Sequence, residues 1–479
     1  MRPLYLTTTL PYVNDKPHLG HALEFIEADC YARFARILGR DVFFNTGTDE
    51  HGQKIYAKAV EAGVSVQDYV DGYAEKFKSL MTTLNIEHTR FIRTTDADHI
   101  TAAQEFWRRC DTAGDIYKKN YSVKYCVGCE MQKTDSELEH GKCPLHSNLE
   151  IEVIEEENYF FRFSKYQEKL VEYLSKEGVI VPESRRLEAL AFVNAGLEDF
   201  SVSRLKEKMA WGIPVPNDDA HVMYVWFDAL VNYVSTLGWP DSEGFKKFWE
   251  EGDVLQFAGK DQIRMQSLMW QAMLMSANVK KTDVVFYHGF LTSDGQKMSK
   301  SLGNVIDPLD LLETYGVEAL RFFMLAEAHS YEDSDITNER LKTAYNAYLA
   351  NGIGNLTSRV MKMATSYDIA WDILTLPKTE DSIAGSEAYI DAFKRFRFDE
   401  AFGVVRSLIT QADGFIQEHE PFKKIKVDPD TARRDVASLV ETLWQMSTFL
   451  TPFMPTTAEK IQHAITSHTM PEILFARKE

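Results

Sequence analysis

The sequence predicts a doubly wound parallel α/β sheet, split by an insert and followed by an all-α helical bundle. Three observations carry this. A strand–helix–strand unit opens the chain, strand and helix signals of the same kind return after residue 215, and no clear strand appears from Asn338 onward. At 479 residues the chain is longer than one core organises, and two to four domains are expected. We divide it into a first half-sheet over 1–116, an insert over 117–215, a second half-sheet over 216–325 and a helical region over 326–479.

The elements follow in order. "LYLTTTL" (4–10) is rich in β-branched residues and reads as a strand, and "PYVNDKP" reads as a loop. From His18 to Leu38 the pattern is helical, with Leu19, Leu23, Ile26, Cys30, Phe34 and Leu38 on one face. "DVFFNTGTDEHG" (41–52) is a second strand running into a polar loop, and helical patterns continue to about Gly114. The alternation breaks over 117–215. It resumes with "MYVWFDALVNYV" (223–234), the strand "VLQFAGKD" (254–261), a helix near 262–277, the strand "DVVFYHGF" (283–290) and a helical stretch over 308–328. Beyond residue 338 the stretches beginning at Leu341, Ala388 and Asp430 read as three long amphipathic helices.

Composition narrows the class. Apolar residues make up 44% and aromatics 12%, enough for a real core in each domain. The net charge of −19 argues against indiscriminate coating of nucleic acid or acidic membranes, although a local basic surface could still meet a nucleic acid. No apolar run is long enough to span a bilayer. The N-terminal "MRPLYLTTTLPY" lacks the apolar core of a signal peptide. A soluble, cytoplasmic enzyme is expected.

Cys126 and Cys129 form a C-x-x-C and Cys143 and His146 a C-x-x-H, with residues 130–142 between them. Two such knuckles supply four ligands to a tetrahedral zinc ion and leave no open position, so one structural Zn2+ per chain is expected. Four unrelated residues would be the alternative, but both half-spacings fit a metal. Cys30 and Cys110 lie in helical patterns and read as core.

"HLGH" sets His18 and His21 three apart at a helix start, with Gly20 between them. Free N–H groups and the helix dipole favour a phosphate there, and two imidazoles add donors for charge developing on a phosphoryl group. Taken alone, the tetrapeptide reads equally well as a helix cap with surface histidines. "QKMSKSLGN" (296–304) reads as a loop flanked by Gly295 and Gly303, with Lys297 and Lys300 three apart. Alone it could be solvated surface. One stretch follows the first strand and the other follows a late strand, and in a doubly wound sheet such loops meet at the carboxyl edge where ligands bind.

That pairing, in that order, resembles the class I aminoacyl-tRNA synthetases, whose two signatures grip ATP. "TTTLPYVNDKPHLGHA", "TGTDEHG", "WGIPVP", "YVWFDALVNY" and "GQKMSKSLGN" resemble the methionyl-tRNA synthetase family, in its order and over nearly the whole chain. The resemblance implies a Rossmann-like catalytic domain and a two-step reaction. Methionine and ATP would give methionyl-adenylate, and the methionyl group would pass to the 3′ end of tRNA(Met). It assigns ATP to His18, Gly20, His21, Asp261, Lys297 and Lys300, with Mg2+ accompanying the nucleotide. It assigns L-methionine to Leu10, Tyr12, Asp49, Trp226, Leu230 and Tyr233. The mixture suits a thioether and an α-ammonium: apolar and aromatic walls with one carboxylate, Asp49. It assigns the anticodon to Asn355, Arg359 and Phe422.

The chain departs from the family's pattern in three places. Gln262 and Gln266 stand where an aliphatic residue and a pocket histidine are usual; four apart on a helix they would share a face, where an amide could donate to the methionine sulfur or be simply solvated. His146 stands for a fourth cysteine, and Phe422 for a tryptophan. The insert is too short for a large editing domain. Two other classes compete. A small-molecule nucleotidyltransferase also carries H-x-G-H, but the insert and helical end speak against it. A non-catalytic tRNA-binding relative is disfavoured by the intact histidines and lysines. With no appended domain after the bundle, a monomer without membrane association is expected.

Overall fold

The computed structural model describes residues 1–129, 131–133, 135–293, 295–297, 306–367, 369, 371 and 376–479. Lys300 and the side chain of Lys297 lie outside the described residues.

Six strands form the central sheet: β1 (Leu4–Thr7), β2 (Val42–Thr48), β3 (Arg90–Arg93), β4 (Ile180–Val181), β5 (Asp253–Gly259) and β6 (Val284–His288). Their order is β3-β2-β1-β5-β6-β4, and every neighbouring pair is parallel. Leu4 of β1 is in register with Val42 on one side and Asp253 on the other. The strand order reverses between β1 and β5, which opens a crevice at their carboxyl ends.

The sheet is covered on both faces, and successive side chains show it. Leu4 and Leu6 enter one core while Tyr5 enters the other. Leu255 and Phe257 pair with the first core, Val254 and Ala258 with the second; Phe286 and Val285 divide the same way. The second core is capped by Phe106, Trp249 and Trp270. The first holds α1 (Leu19–Ile37) and runs on into the helical region through Phe393, Phe402 and Phe453.

α1 is therefore buried on both sides. Phe34 stacks on Phe393 at 4.0 Å between ring centroids, and Tyr31 on Phe396 at 5.1 Å. Burial reaches its polar residues Glu24, Glu27, Asp29 and Arg33. Arg321 is fully buried and joins Asp29 at 2.7 Å. Its other N–H groups donate to the carbonyls of Phe453, Pro452 and Leu84 at 2.8, 3.1 and 3.2 Å. Asp29 also accepts from Arg33 (2.7 Å) and the Glu87 amide (2.8 Å). A buried ion pair lasts only when other hydrogen bonds meet its charge, and here three carbonyls and the Glu87 amide add to it.

The region read as an insert is led by a long antiparallel hairpin, Ile116–Cys126 against Glu152–Phe161. Met131–Lys133 and Phe200–Ser201 flank it. Within 117–215, however, Ile180–Val181 returns to the main sheet as its edge strand β4. Two residues are too few to show a period. A second departure concerns the stretch from Ala388 to His419. It forms two helices, Glu387–Lys394 and Phe398–His419, broken where Phe396 takes a left-handed φ of 55°. The roughly 1–2 kcal/mol cost of that conformation is offset by burial of the Phe396 ring, which stacks on Phe286 at 4.8 Å. The other two long stretches are helical as read, Asn338–Ala344 running through Tyr345–Gly354 into Asn355–Ser366, and Pro429–Leu450; Pro455–Thr466 adds a further helix. Among the described residues, no helix is long and apolar enough to cross a membrane.

Candidate active site and metal centre

The β1/β5 crevice holds a cavity of about 840 Å³. Leu10, Tyr12, Asp49, Trp226, Leu230, Tyr233, Gln262 and Gln266 all line it, together with His18, Gly20, His21 and Asp261. The residues expected to hold methionine thus share one space with His18, Gly20, His21 and Asp261 of the expected nucleotide set.

His18 caps α1. Its Nδ1 accepts from the His21 amide (3.4 Å), and His21 Nδ1 accepts from the His18 amide (3.3 Å). The rings stack at 3.6 Å between centroids. With Nδ1 used as acceptor in both, the proton of each neutral ring sits on Nε2, which places two N–H groups at a helix N-terminus. Burial, and then the neighbouring His18, hold His21 well below the usual histidine range, so it donates as a neutral imidazole. A Cβ on Gly20 would press on the His18 ring at 3.1 Å, so glycine gives the stacked pair its room.

Asp49 is fixed through its strand end. Its amide donates to Pro11 O (2.9 Å) and its carbonyl accepts from Val13 N (3.1 Å). The next two residues of "TDEHG" are wired below it. Glu50 is gripped by the Arg93 fork at 2.7 and 2.8 Å. His51 meets Asp228 at 2.7 Å, and Asp228 also meets His99 at 2.8 Å.

The helix read over 262–277 starts as a tight turn at Lys260–Gln262 and widens to a π-helical stretch at Arg264–Met269, a form common at functional sites. Gln262 is half-buried, and its amide reaches the neighbouring Asp261 at 3.2 Å. Gln266 is buried, so the solvated-face alternative fails for it. Its Nε2 donates to the Tyr233 hydroxyl at 2.7 Å. Among the described residues, Gln266 Oε1 and Trp226 Nε1 are buried without a partner on this cavity.

Several lining residues were not singled out from the sequence. Glu24 Oε1 accepts from both Thr9 N and Thr9 Oγ1 at 2.6 Å, and Glu24 Oε2 faces His288 Nε2 at 3.2 Å. Behind them burial raises Glu27 to about 8. Lys16 and Asp307 form an ion pair at 2.5 Å at the rim. No local signal marks Glu24, whose burial follows from docking of the helical region. Leu291–Ser293 pairs with Gln296–Lys297 around Gly295, whose φ is +71°, and brings the backbone of Lys297 beyond the end of β6.

Cys126, Cys129, Cys143 and His146 come together, with all four ligand atoms within 4.8 Å. Cys129 Sγ lies 3.5 Å from Cys143 Sγ and 3.3 Å from His146 Nδ1, and Cys126 Sγ lies 3.8 Å from His146 Nδ1. A tetrahedron built on metal–sulfur bonds of about 2.3 Å has edges of roughly 3.8 Å, so the set fits a metal ion. A Cβ on Gly128 would lie 2.3 Å from the His146 ring; glycine is what lets the histidine close the set. Lys54 donates to the Gly128 carbonyl and Arg264 meets Glu137 at 2.8 Å, so the knuckle is tied to the helix that follows Asp49 and to the stretch that carries Gln266.

In the helical region Asn355 is exposed and Arg359 half-buried on one helix face, Arg359 paired to Asp413 at 2.7 Å. Phe422 is 44% exposed, which excludes it from the core.

Comparison with known proteins agrees. Residues 4–151 and 146–361 match the family model "tRNA synthetases class I (M)", and 378–473 match "Anticodon binding domain of methionyl tRNA ligase". The methionine–tRNA ligase of Nostoc sp. is 42% identical over 475 residues, covering 95% of this chain and 88% of that one. That of Caldanaerobacter subterraneus is 40% identical over 477 residues, covering 96% and 73%. The Mycobacterium tuberculosis methionyl-tRNA synthetase in complex with methionyl-adenylate superposes with a TM-score of 0.88 at 35% identity, covering 100% of this chain and 99% of that one. The chain belongs to the methionine–tRNA ligases, a family of class I aminoacyl-tRNA synthetases.

Proposed function

We propose that the cavity binds methionine and ATP side by side, joins them as methionyl-adenylate with release of pyrophosphate, and passes the methionyl group to the 3′ end of tRNA(Met). The observation that carries this is one space of about 840 Å³ walled by the methionine set and by His18, Gly20, His21 and Asp261. The attacking carboxylate is already ionised, so the first step needs no general base. Catalysis is positioning plus charge stabilisation at the α-phosphate.

His18 and His21 donate to the phosphates through Nε2 at the N-terminus of α1. Lys297 and Lys300 close from the opposite loop, and Asp261 takes the ribose side. ATP enters as its magnesium complex. Asp49 pairs with the substrate α-ammonium, while Leu10, Tyr12, Trp226 and Leu230 wall the side chain. Tyr233 accepts from Gln266, which leaves its own proton for the thioether sulfur. Burial holds that phenol above its ordinary range, so it stays a donor. In this reading Gln266 acts on the sulfur through Tyr233, and Gln262 lines the mouth beside Asp261.

Zinc suits the three thiolates and one imidazole, one ion per chain, with four protein ligands and no open position. Its part is structural. Asn355 and Arg359 reach the edges of unstacked anticodon bases, and the exposed Phe422 ring offers a stacking face. We read the chain as a monomer, and the cytoplasm is where its tRNA substrate would be met. The test is amino-acid-dependent ATP–pyrophosphate exchange across the twenty amino acids. Methionine alone should support rapid exchange; exchange with another amino acid at the same rate would reject the pocket assignment.

A further inference from the structure

We propose that His288, held between the Glu24 carboxylate and the Gly289 carbonyl, is a positioning residue for ATP. It places a fixed cation in the nucleotide wall and locks β6 to α1.

Both partners of the ring are acceptors. Nε2 faces Glu24 Oε2 at 3.2 Å, and Nδ1 faces Gly289 O at 2.8 Å. A neutral ring has one N–H and would leave one acceptor unmet in a buried site. An imidazolium satisfies both. The charged groups around it are Glu24 and Glu27 of α1, with Asp399 behind Glu27 and Asp261 across Gly259. Burial works against the cation, but the bond to Glu24 and the charges of Glu27 and Glu24 outweigh it and raise His288 to about 9.

The position gives the cation its use. His288 and Glu24 both line the cavity with Gly259, Asp261 and Gly289. Glu24 also holds Thr9 at the end of β1, next to Leu10. The chain Thr9–Glu24–His288–Gly289 therefore spans the crevice. On one side are β1 and the helix bearing His18 and His21. On the other is the end of β6, which leads to Lys297 and Lys300.

This inference rests on reading the cavity as an ATP site. The experiment is steady-state ATP–pyrophosphate exchange by His288→Gln. Glutamine carries no charge and its amide can donate to only one of the two acceptors from that position. We expect KM for ATP to rise tenfold or more at pH 7.5, while KM for methionine changes less than twofold. In the parent protein the cation is present below about pH 9 and lost above it, so KM for ATP should climb as pH passes that point. The climb should be absent from His288→Gln. Glu24→Gln should reproduce the ATP defect, and the double variant should add little to either single one. If His288→Gln does not fold, Glu24→Gln carries the test, its alkaline climb moving toward neutral pH. A folded His288→Gln with unchanged KM for ATP, or with both KM values rising together, would overturn the inference. If the parent protein gives no methionine-dependent exchange, the activity reading fails instead. Calorimetric ATP binding by parent and variant then decides the His288 question, a difference under twofold counting against it.

Discussion

Beneath the cavity Glu50, His51 and Asp228 are buried and bonded, whereas Asn355 and Phe422 are exposed and Arg359 is half-buried in the helical region. Glu50 is fully buried and meets four donors, counting Thr48, Thr95 and the two arms of Arg93. Asp228 is fully buried between two histidines, which together hold its carboxyl below the usual range against the effect of burial. By contrast, Arg359 and Asp413 are each about a third exposed in their side chains. Activation of two small substrates needs dipoles that do not reorganise as charge develops. Reading unstacked bases needs donors and a ring that a large partner can reach. An exposed ion pair is worth ~1 kcal/mol or less, so Arg359 can leave Asp413 for a base at little cost.

The largest expected effect falls on adenylate formation. Lys300→Ala should slow single-turnover adenylate formation by roughly 100–1,000-fold, the scale of losing one donor to developing charge, with methionine affinity little changed. Near-normal adenylation would remove the loop from the mechanism.

Cys143→Ser tests whether the metal centre belongs to that rigid side. The purified protein should hold one zinc per chain by elemental analysis, and the variant should lose it. Because Lys54 and Arg264 tie the knuckle to the elements that carry Asp49 and Gln266 into the cavity, activity should fall with it. Freshly purified protein without metal would defeat the assignment.

The smallest effect sharpens the comparison within the pocket. Gln266→Leu removes one buried hydrogen bond to Tyr233, worth about 0.5–1.5 kcal/mol. Discrimination between methionine and norleucine should therefore drop by roughly two- to tenfold. An unchanged ratio would mean that Tyr233 orients itself without the amide.

What could be read from the chain beforehand follows the same divide. His18 and His21 could be picked out from their spacing at a helix start, whereas Asp49, Trp226 and Tyr233 came only from the family resemblance; all five line the cavity. Glu24 and His288 were not legible. The pattern of α1 puts Leu23 and Ile26 on its core face and leaves Glu24 and Glu27 apparently solvated; they are buried because the helical region docks on the other side. That is a tertiary fact with no local period. β4 is two residues long, and the break at Phe396 depends on distant rings in β6 and α1. For Gln266 the sequence left a pocket face and a solvated face both open, because the π-helical stretch that turns it into the cavity has no local signature.

Separability of the two regions is the central claim, and Arg359→Ala measured in two assays tests it most directly. Methionine-dependent ATP–pyrophosphate exchange should match the parent protein, while charging of a tRNA with a CAU anticodon should fall by about tenfold or more, as for loss of a charged hydrogen bond of roughly 1.5–3 kcal/mol. Equal loss in both assays would contradict the account by making Arg359 part of the fold, and no loss in either would move anticodon recognition elsewhere.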